Sequence, residues 1–339
     1  MEVIWLQPQL EGRVEQDNSQ RIIGGAIILI ACVLIIIAIC TNMFGSDEGV
    51  FYISGDGIDY EQQEMELIFS GDNETTVSQI PEDANKLRVY FFDVGQGDSI
   101  FVENNGVTML IDAGNNPDGK YISKYLRNVL NIKKIDYLIA THSHEDHIGG
   151  MDIIIEDFDV GHFFIPKQKV ESKSYDDVIE WANQKEIDMV SPAIGRIFYV
   201  GDAVCEVMAK DDETEDLNAS TIVIQLKFGE KKFLFTGDIE AANEEAREWE
   251  DIDVLKVAHH GSTYSSSVDF LKQTLPEIAV ISCGRDNEYY YPHEAVLKRL
   301  EDVGCKNVYI TANDNTILLV TDGNVIEAQK LEEIMDGNV

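Results

Sequence analysis

The stretch THSHEDHIGG, residues 141–150, holds three histidines, a glutamate and an aspartate within seven positions and closes on two glycines. Few folds can use such a segment, because its side chains must converge. In extended backbone, residues two apart point the same way, so His142 and His144 offer both imidazoles to one ion. Asp146 and His147 follow where the chain turns into a helix, which aims them at a neighbouring position. Gly149 and Gly150 keep that turn bare, so that another backbone segment can pass close. Imidazole with carboxylate suits Zn²⁺, with Mn²⁺ or Fe fitting as the ligand set becomes richer in oxygen. The remaining histidines are His162, His259, His260 and His293.

The surrounding sequence supplies strands that could carry such a site. LRVYFFDV (87–94), SIFVEN (99–104) and VTMLIDAG (107–114) read as strands, followed by a helix at about 119–131 and a strand IDYLIATH (135–142) that runs into the histidines. STIVIQLKFG (220–229), KKFLFTGD (231–238), DVLKVAHHGS (253–262) and EIAVISCG (277–284) read as further strands, with short strands closing the chain. Helices fit 174–185, 240–249, 266–274 and 294–303. Two facing sheets with helices outside, a four-layer αββα sandwich of the α/β class, accommodate this order best. Asp112 and Asp238 lie at strand tips beside glycines, which suits a turn residue. Both tips open toward the same sheet edge as His142 and His259, which favours ligand or supporting roles.

The motifs FFDVGQGDS, THSHEDHIGG, FLFTGDIE, DVLKVAHHGS and the block ending YPHEAVLKRL together resemble the metallo-β-lactamase superfamily. Within it they are most similar to the hydrolase domain of ComEC-type DNA-uptake proteins and its free-standing relatives, over roughly residues 87–325. The resemblance implies two divalent metal ions, Zn²⁺ or Mn²⁺. It places His142 and His144 on the first and Asp146 and His147 on the second, with Asp238 bridging and either His259 or His260 completing the second. It implies that Asp93 and Asp112 orient ligands from beneath, and that Asp146, His260 and His293 take part in catalysis. His293 is open to two roles: donating a proton to the leaving group, or capping the helix at 294–303. One departure stands out. The histidine that many members place between HxHxDH and TGD is missing; Asn218 stands there, and His162 arrives too early and suits a structural role.

Residues 22–40, IIGGAIILIACVLIIIAIC, carry no charge and are long enough for a bilayer-spanning helix, which needs roughly 20 apolar residues. The run is too long for a cleaved signal peptide and continues past Cys32 of a lipoprotein-like LIAC, so a plain anchor over 22–41 is expected. Arg13 and Arg21 precede it, whereas residues 41–85 contain eleven acids and no Lys or Arg. The positive-inside rule then puts residues 1–21 in the cytoplasm, an acidic spacer at 42–86 outside, and the hydrolase domain at 87–339 outside as well. Cys205, Cys283 and Cys305 are too few for a disulfide framework.

A formal charge of −36 disfavours long nucleic acid as a partner, because phosphates are normally met by a basic face. The expected protein is a membrane-anchored, outward-facing dinuclear phosphodiesterase that uses hydroxide generated on its metal ions, acting on a small or lipid-linked phosphodiester. A competence-type extracellular nuclease is the nearest alternative. A metal-poor surface receptor or scaffold is another, motivated by the missing histidine.

Overall fold

The computed structural model describes residues 85–331; the expected anchor at 22–41 and most of the spacer at 42–86 lie outside it. Among the described residues no helix is long and apolar enough to cross a membrane.

The strands of the first half are β1 Leu87–Phe91, β2 Ile100–Asn104, β3 Val107–Ile111, β4 Lys134–Ile139, β5 Asp159–Phe164, β6 Met189–Val190, β7 Ile197–Val200 and β8 Ala203–Ala209. Those of the second half are β9 Val223–Phe228, β10 Lys231–Phe235, β11 Val254–Lys256, β12 Ile278–Ile281, β13 Asn307–Ile310, β14 Thr316–Thr321 and β15 Ile326–Leu331. They form an eight-stranded sheet in the order β15-β14-β1-β2-β3-β4-β5-β6 and a seven-stranded sheet in the order β13-β12-β11-β10-β9-β8-β7. The helices are α1 Asp118–Lys124, α2 Glu145–Ile148, α3 Met151–Asp157, α4 Lys173–Gln184, α5 Ala241–Glu245, α6 Val268–Thr274, α7 Glu294–Asp302 and α8 Thr311–Asp314.

β1 shows why this sequence makes four layers. Its near-continuous apolar run is split by the period-2 pleat, as expected of a strand buried on both sides. Leu87, Val89 and Phe91 enter the core between the sheets, while Tyr90 and the following Phe92 pack outward under the helices of the first half. The second sheet repeats the device: Phe233 and Phe235 of β10 face the inter-sheet core, and Leu234 joins Trp249, Phe270 and Leu300 outside. Two sheets with helices on their outer faces match the expected sandwich.

Several elements differ from the expected ones, among them the helix over 240–249, which spans only Ala241–Glu245. The expected helix over 119–131 is α1 continuing into a π-helical turn, Tyr125–Val129. The helix expected over 266–274 is α6, which starts after Ser267, whose hydroxyl accepts from Phe270 N as the N-cap. Strands β5, β6, β7 and β8 were not anticipated. Gly161 and His162 interrupt the apolar pattern of β5, where a Cβ at Gly161 would lie 2.8 Å from Asp136 O. His162 stacks on Tyr137 at 5.0 Å between ring centroids, a packing role within that sheet.

The topology gathers the site at one edge. β3 and β4 run parallel, as do β10, β11 and β12, so the segments after them emerge on a common side. This is where open parallel sheets place their ligands. Gly149 and Gly150 sit at the tightest crossing there: a Cβ on Gly150 would lie 2.3 Å from Ala113 O and 2.6 Å from Gly119 Cα.

Phe235 is buried between the sheets, with its ring 6.3 Å from that of Phe91. Phe235→Ala should cost about 3–5 kcal/mol of stability, from lost burial plus the cavity left behind. Chemical denaturation of the variant beside the unchanged chain measures this.

Candidate metal centre

Asp112 stands at the end of β3 in left-handed backbone, φ 58°. It is fully buried. Its Oδ1 accepts from Thr141 N at 2.8 Å, and its Oδ2 from Thr141 Oγ1 at 2.6 Å. The same Oδ2 lies 2.8 Å from His147 Nδ1. That contact leaves His147 Nε2 pointing forward into the site. A carboxylate behind one imidazole nitrogen fixes the tautomer and raises the basicity of the other.

On the forward side, His147 Nε2 lies 3.4 Å from Asp238 Oδ2 and 3.9 Å from Asp146 Oδ2. His260 Nε2 reaches the same two carboxylates, at 3.4 Å from Asp238 and 3.2 Å from Asp146. His260 Nδ1 lies 2.9 Å from the carbonyl oxygen of Ser282, which orients the ring from behind. His142 Nε2 and His144 Nδ1 are 2.9 Å apart, and His142 joins His147 and Asp238 in one tight group of potential ligands. Asp146, His147 and His260 make a second such group. His147 Nε2, His260 Nε2 and Asp238 Oδ1 are buried and form no hydrogen bond of good geometry. Buried polar atoms without partners are costly, and a cation between them satisfies all three. The residues therefore fit divalent metal.

The structure chooses between the paired histidines where one ion is concerned. His260, buried, faces both Asp146 and Asp238, whereas His259 stands 3.9 Å from Asp238 Oδ2 with its Nδ1 turned to Glu240. Asn218 lies nearby, its Nδ2 3.4 Å from Glu240 Oε1. His293 takes the N-cap position of α7 without a side-chain cap bond; its Nδ1 instead accepts from Thr263 N at 3.1 Å, tying down the loop after the paired histidines. Asp93 Oδ1 accepts from Gly95 N at 3.1 Å and shapes the turn that opens GQGD.

A further acid under the site is Asp98. Its Oδ1 lies 3.5 Å from His260 Nδ1 and its Oδ2 3.9 Å from His147 Nδ1. Lys256, fully buried in β11, places Nζ 2.6 Å from Asp98 Oδ2 and donates to Val257 O at 3.0 Å. Sequence reasoning passed over both. The signals were an acid inside GQGDS and a lysine inside the apolar run DVLKVA, where a charge must find a partner.

The charges around the centre shift its histidines in opposite directions. Burial opposes a charged His260, yet Asp238, Asp146 and Asp98 outweigh it and raise its pKa to about 10. Burial also opposes charge on His147, and Asp238, Asp146 and Asp112 again win, leaving it well above its ordinary value. His142, buried beside His147, is held well below the usual range. Burial likewise lowers His259, against the pull of Asp238. Burial alone would raise Asp238, but His260 and His147 drive it well below the usual carboxylate range.

These contacts define a histidine–aspartate metal centre at the open edge of a two-sheet sandwich, and a family profile agrees: the metallo-beta-lactamase superfamily profile matches residues 92–285. The chain belongs to the metallo-beta-lactamase superfamily. It is 30% identical over 235 residues to ComE operon protein 3 of Bacillus subtilis, across 63% of this chain and 30% of that protein. It is 31% identical over 220 residues to Recombination protein 2 of Haemophilus influenzae, across 61% of this chain and 26% of that protein. Competence protein ComA of Neisseria gonorrhoeae is 27% identical over 234 residues, across 67% of this chain and 31% of that protein. The chain thus spans less than a third of the length of each of these competence-related relatives. As a superfamily member it has the fold of metal-dependent hydrolases.

Two outcomes follow from the buried charges. Lys256→Met strands the Asp98 carboxylate without its partner, and breaking a buried pair in this way should cost about 3–5 kcal/mol, read by chemical denaturation. The second concerns pH. His260 and His147 have raised folded pKa values, so the stability they contribute to the metal-free protein is full below about pH 6.5, the ordinary histidine value. It is lost as pH rises through the folded value, about 10 for His260. The melting temperature of chelator-treated protein should therefore fall between pH 7 and 10. Apparent metal affinity should rise over pH 6 to 8 as protons compete less; thermal melts and metal titrations in buffers across that range check both.

Proposed function

We propose that the chain is a metal-dependent phosphodiesterase, anchored by residues 22–41 with its catalytic domain outside the cell. The supporting observation is the charge arrangement: Asp98, Asp112, Asp146 and Asp238 gather around the histidines, and the one lysine among them, Lys256, pairs with Asp98. Four carboxylates against one ammonium leave three negative charges, which two divalent ions would turn to about plus one before water is deprotonated, so the loaded centre suits an anionic phosphodiester as its ligand.

Zn²⁺ or Mn²⁺ held there would lower the pKa of water and neutralise charge developing on a phosphoryl oxygen. His142, His144 and Asp238 would hold one ion, and Asp146, His147, His260 and the shared Asp238 the other. Asp146 is part exposed, unlike the other acids of the centre, and its carboxylate faces the opening, where it can orient an attacking water. Asp112 and Ser282 O keep His147 and His260 aimed forward while substrate comes and goes. Tyr291 stacks on His260 at 6.2 Å and walls off that side of the site.

A small or lipid-linked phosphodiester suits a chain of net charge −36 better than duplex nucleic acid does. Similarity to competence and recombination proteins supports a second reading, an extracellular nuclease.

The test is hydrolysis of bis(p-nitrophenyl) phosphate by the purified chain, stripped of metal and reloaded with Zn²⁺ or Mn²⁺. Turnover should require the ion and fall by on the order of 100-fold or more in His144→Ala, since even outer partners of metal ligands are worth 10–100-fold. No metal-dependent turnover by a folded, metal-loaded chain would refute the phosphodiesterase reading. Comparing single-stranded DNA with a glycerol phosphodiester then separates the two substrate classes.

A further inference from the structure

The centre has one vacancy in its sequence pattern: no histidine lies where many superfamily members place one between HxHxDH and TGD, and Asn218 stands there. His142, His144 and Asp238 alone make a thin ligand set for the first ion. The paired histidines after β11 bear on this. On an extended strand, consecutive side chains leave on opposite faces, so one carboxylate meets only one of them. Here both residues adopt left-handed backbone, φ 51° and ψ 48° at His259, φ 53° and ψ 20° at His260. That conformation is uncommon outside glycine, although histidine adopts it more readily than most residues, and two in succession persist only where the surroundings enforce them. Its effect is that both rings turn toward Asp238. The two Nε2 atoms lie 3.9 Å and 3.4 Å from the same Oδ2, with ring planes at 71°. Ligand atoms each about 2.0–2.2 Å from a shared ion lie roughly 3–4 Å apart.

Behind His259 the support resembles that of a ligand. Its Nδ1 is buried, forms no hydrogen bond, and lies 3.6 Å from Glu240 Oε1. Glu240 is held in turn by Asn218 Nδ2 at 3.4 Å and by the capping box at the start of α5. A carboxylate behind one nitrogen with the other aimed forward is how outer partners orient metal-binding histidines.

We propose that His259 supplies the first ion with the imidazole that the pattern lacks, oriented by Glu240, while His260 serves the second ion with Asp146 and His147. Asn218 then keeps a purpose at its old position: it holds the carboxylate that aims the substitute. The assignment rests on the metal-dependent reading above, and it concerns ligation only.

The experiment is cobalt titration of the full, metal-stripped chain, with bound metal counted by mass spectrometry and coordination read by absorption. The unchanged chain should take up two equivalents. His259→Ala should weaken one of them and His260→Ala the other. Glu240→Gln, which removes the charge, should weaken the same equivalent as His259→Ala by about 10–100-fold. His259→Cys should show a near-ultraviolet thiolate-to-cobalt charge-transfer band, which a residue merely close to the ion cannot produce. Two tight equivalents in His259→Ala, or a folded His259→Cys that binds cobalt without that band, would overturn the assignment. A chain that takes up no metal overturns it as well. His259-dependent uptake without phosphodiester turnover would leave the assignment standing and remove the phosphodiesterase reading; turnover with His259-independent uptake would do the reverse.

Discussion

The buried carboxylate of Asp112 is the contact on which the metal end of the domain depends. It accepts from the backbone and hydroxyl of Thr141 and meets His147, so one side chain joins the end of β3, the end of β4 and the short helix α2. Burial pushes its pKa up, and His147 and Thr141 pull against that rise. The ionised form is tolerable only because every lone pair that faces the interior has a partner. The same bonds decide where His142 stands and which nitrogen of His147 faces forward. The ligand geometry is thus a consequence of satisfying one buried acid.

Charge explains the second layer of the site. An acidic cluster this dense cannot be buried without compensation, and the protein sets Lys256 against Asp98 and places His147 and His260, both with raised pKa values, among the other acids. Lys256 pairs with Asp98 behind the imidazoles, where it cannot compete for the forward carboxylates. Metal binding, proton release and folding are therefore one linked equilibrium. The overall acidity of the chain belongs to the same picture: the centre can draw cations from solution, while polyanions are repelled except at the charged centre itself.

Close approach of backbones sets the remaining constraint. Gly149 and Gly150 let α2 and α3 pass against Ala113, Asn116 and Gly119 with no room for a methyl group. That packing brings Asp146 and His147 down onto the strand tips. On the opposite sheet, the left-handed turn at His259 and His260 performs the matching task, bending the chain so that neighbouring side chains reach one carboxylate. Conformational strain and steric tightness both concentrate at this edge, as expected where function dictates backbone geometry.

Much of this was legible from the chain alone. Period-2 apolar runs marked the central strands because each is buried on both faces, and HxHxDH with TGD and HHGS marked the metal centre because such residue types are expensive to cluster without an ion. Strands β5 to β8, toward the rims of the two sheets, escaped notice: a glycine and a histidine break the pattern of β5, β6 spans two residues, and β7 and β8 leave Ile197, Tyr199 and Val204 exposed, so burial imposes less pattern on them. Asp98 belongs to the same short motif as Asp93, and only the tertiary structure shows that it lies under the site, because that depends on its meeting Lys256. His259 and His260 are likewise equivalent in sequence. Local order determined that a ligand would come from the pair; the three-dimensional backbone decided where each ring points, because direction is a property of φ, ψ and packing, which adjacent letters do not carry.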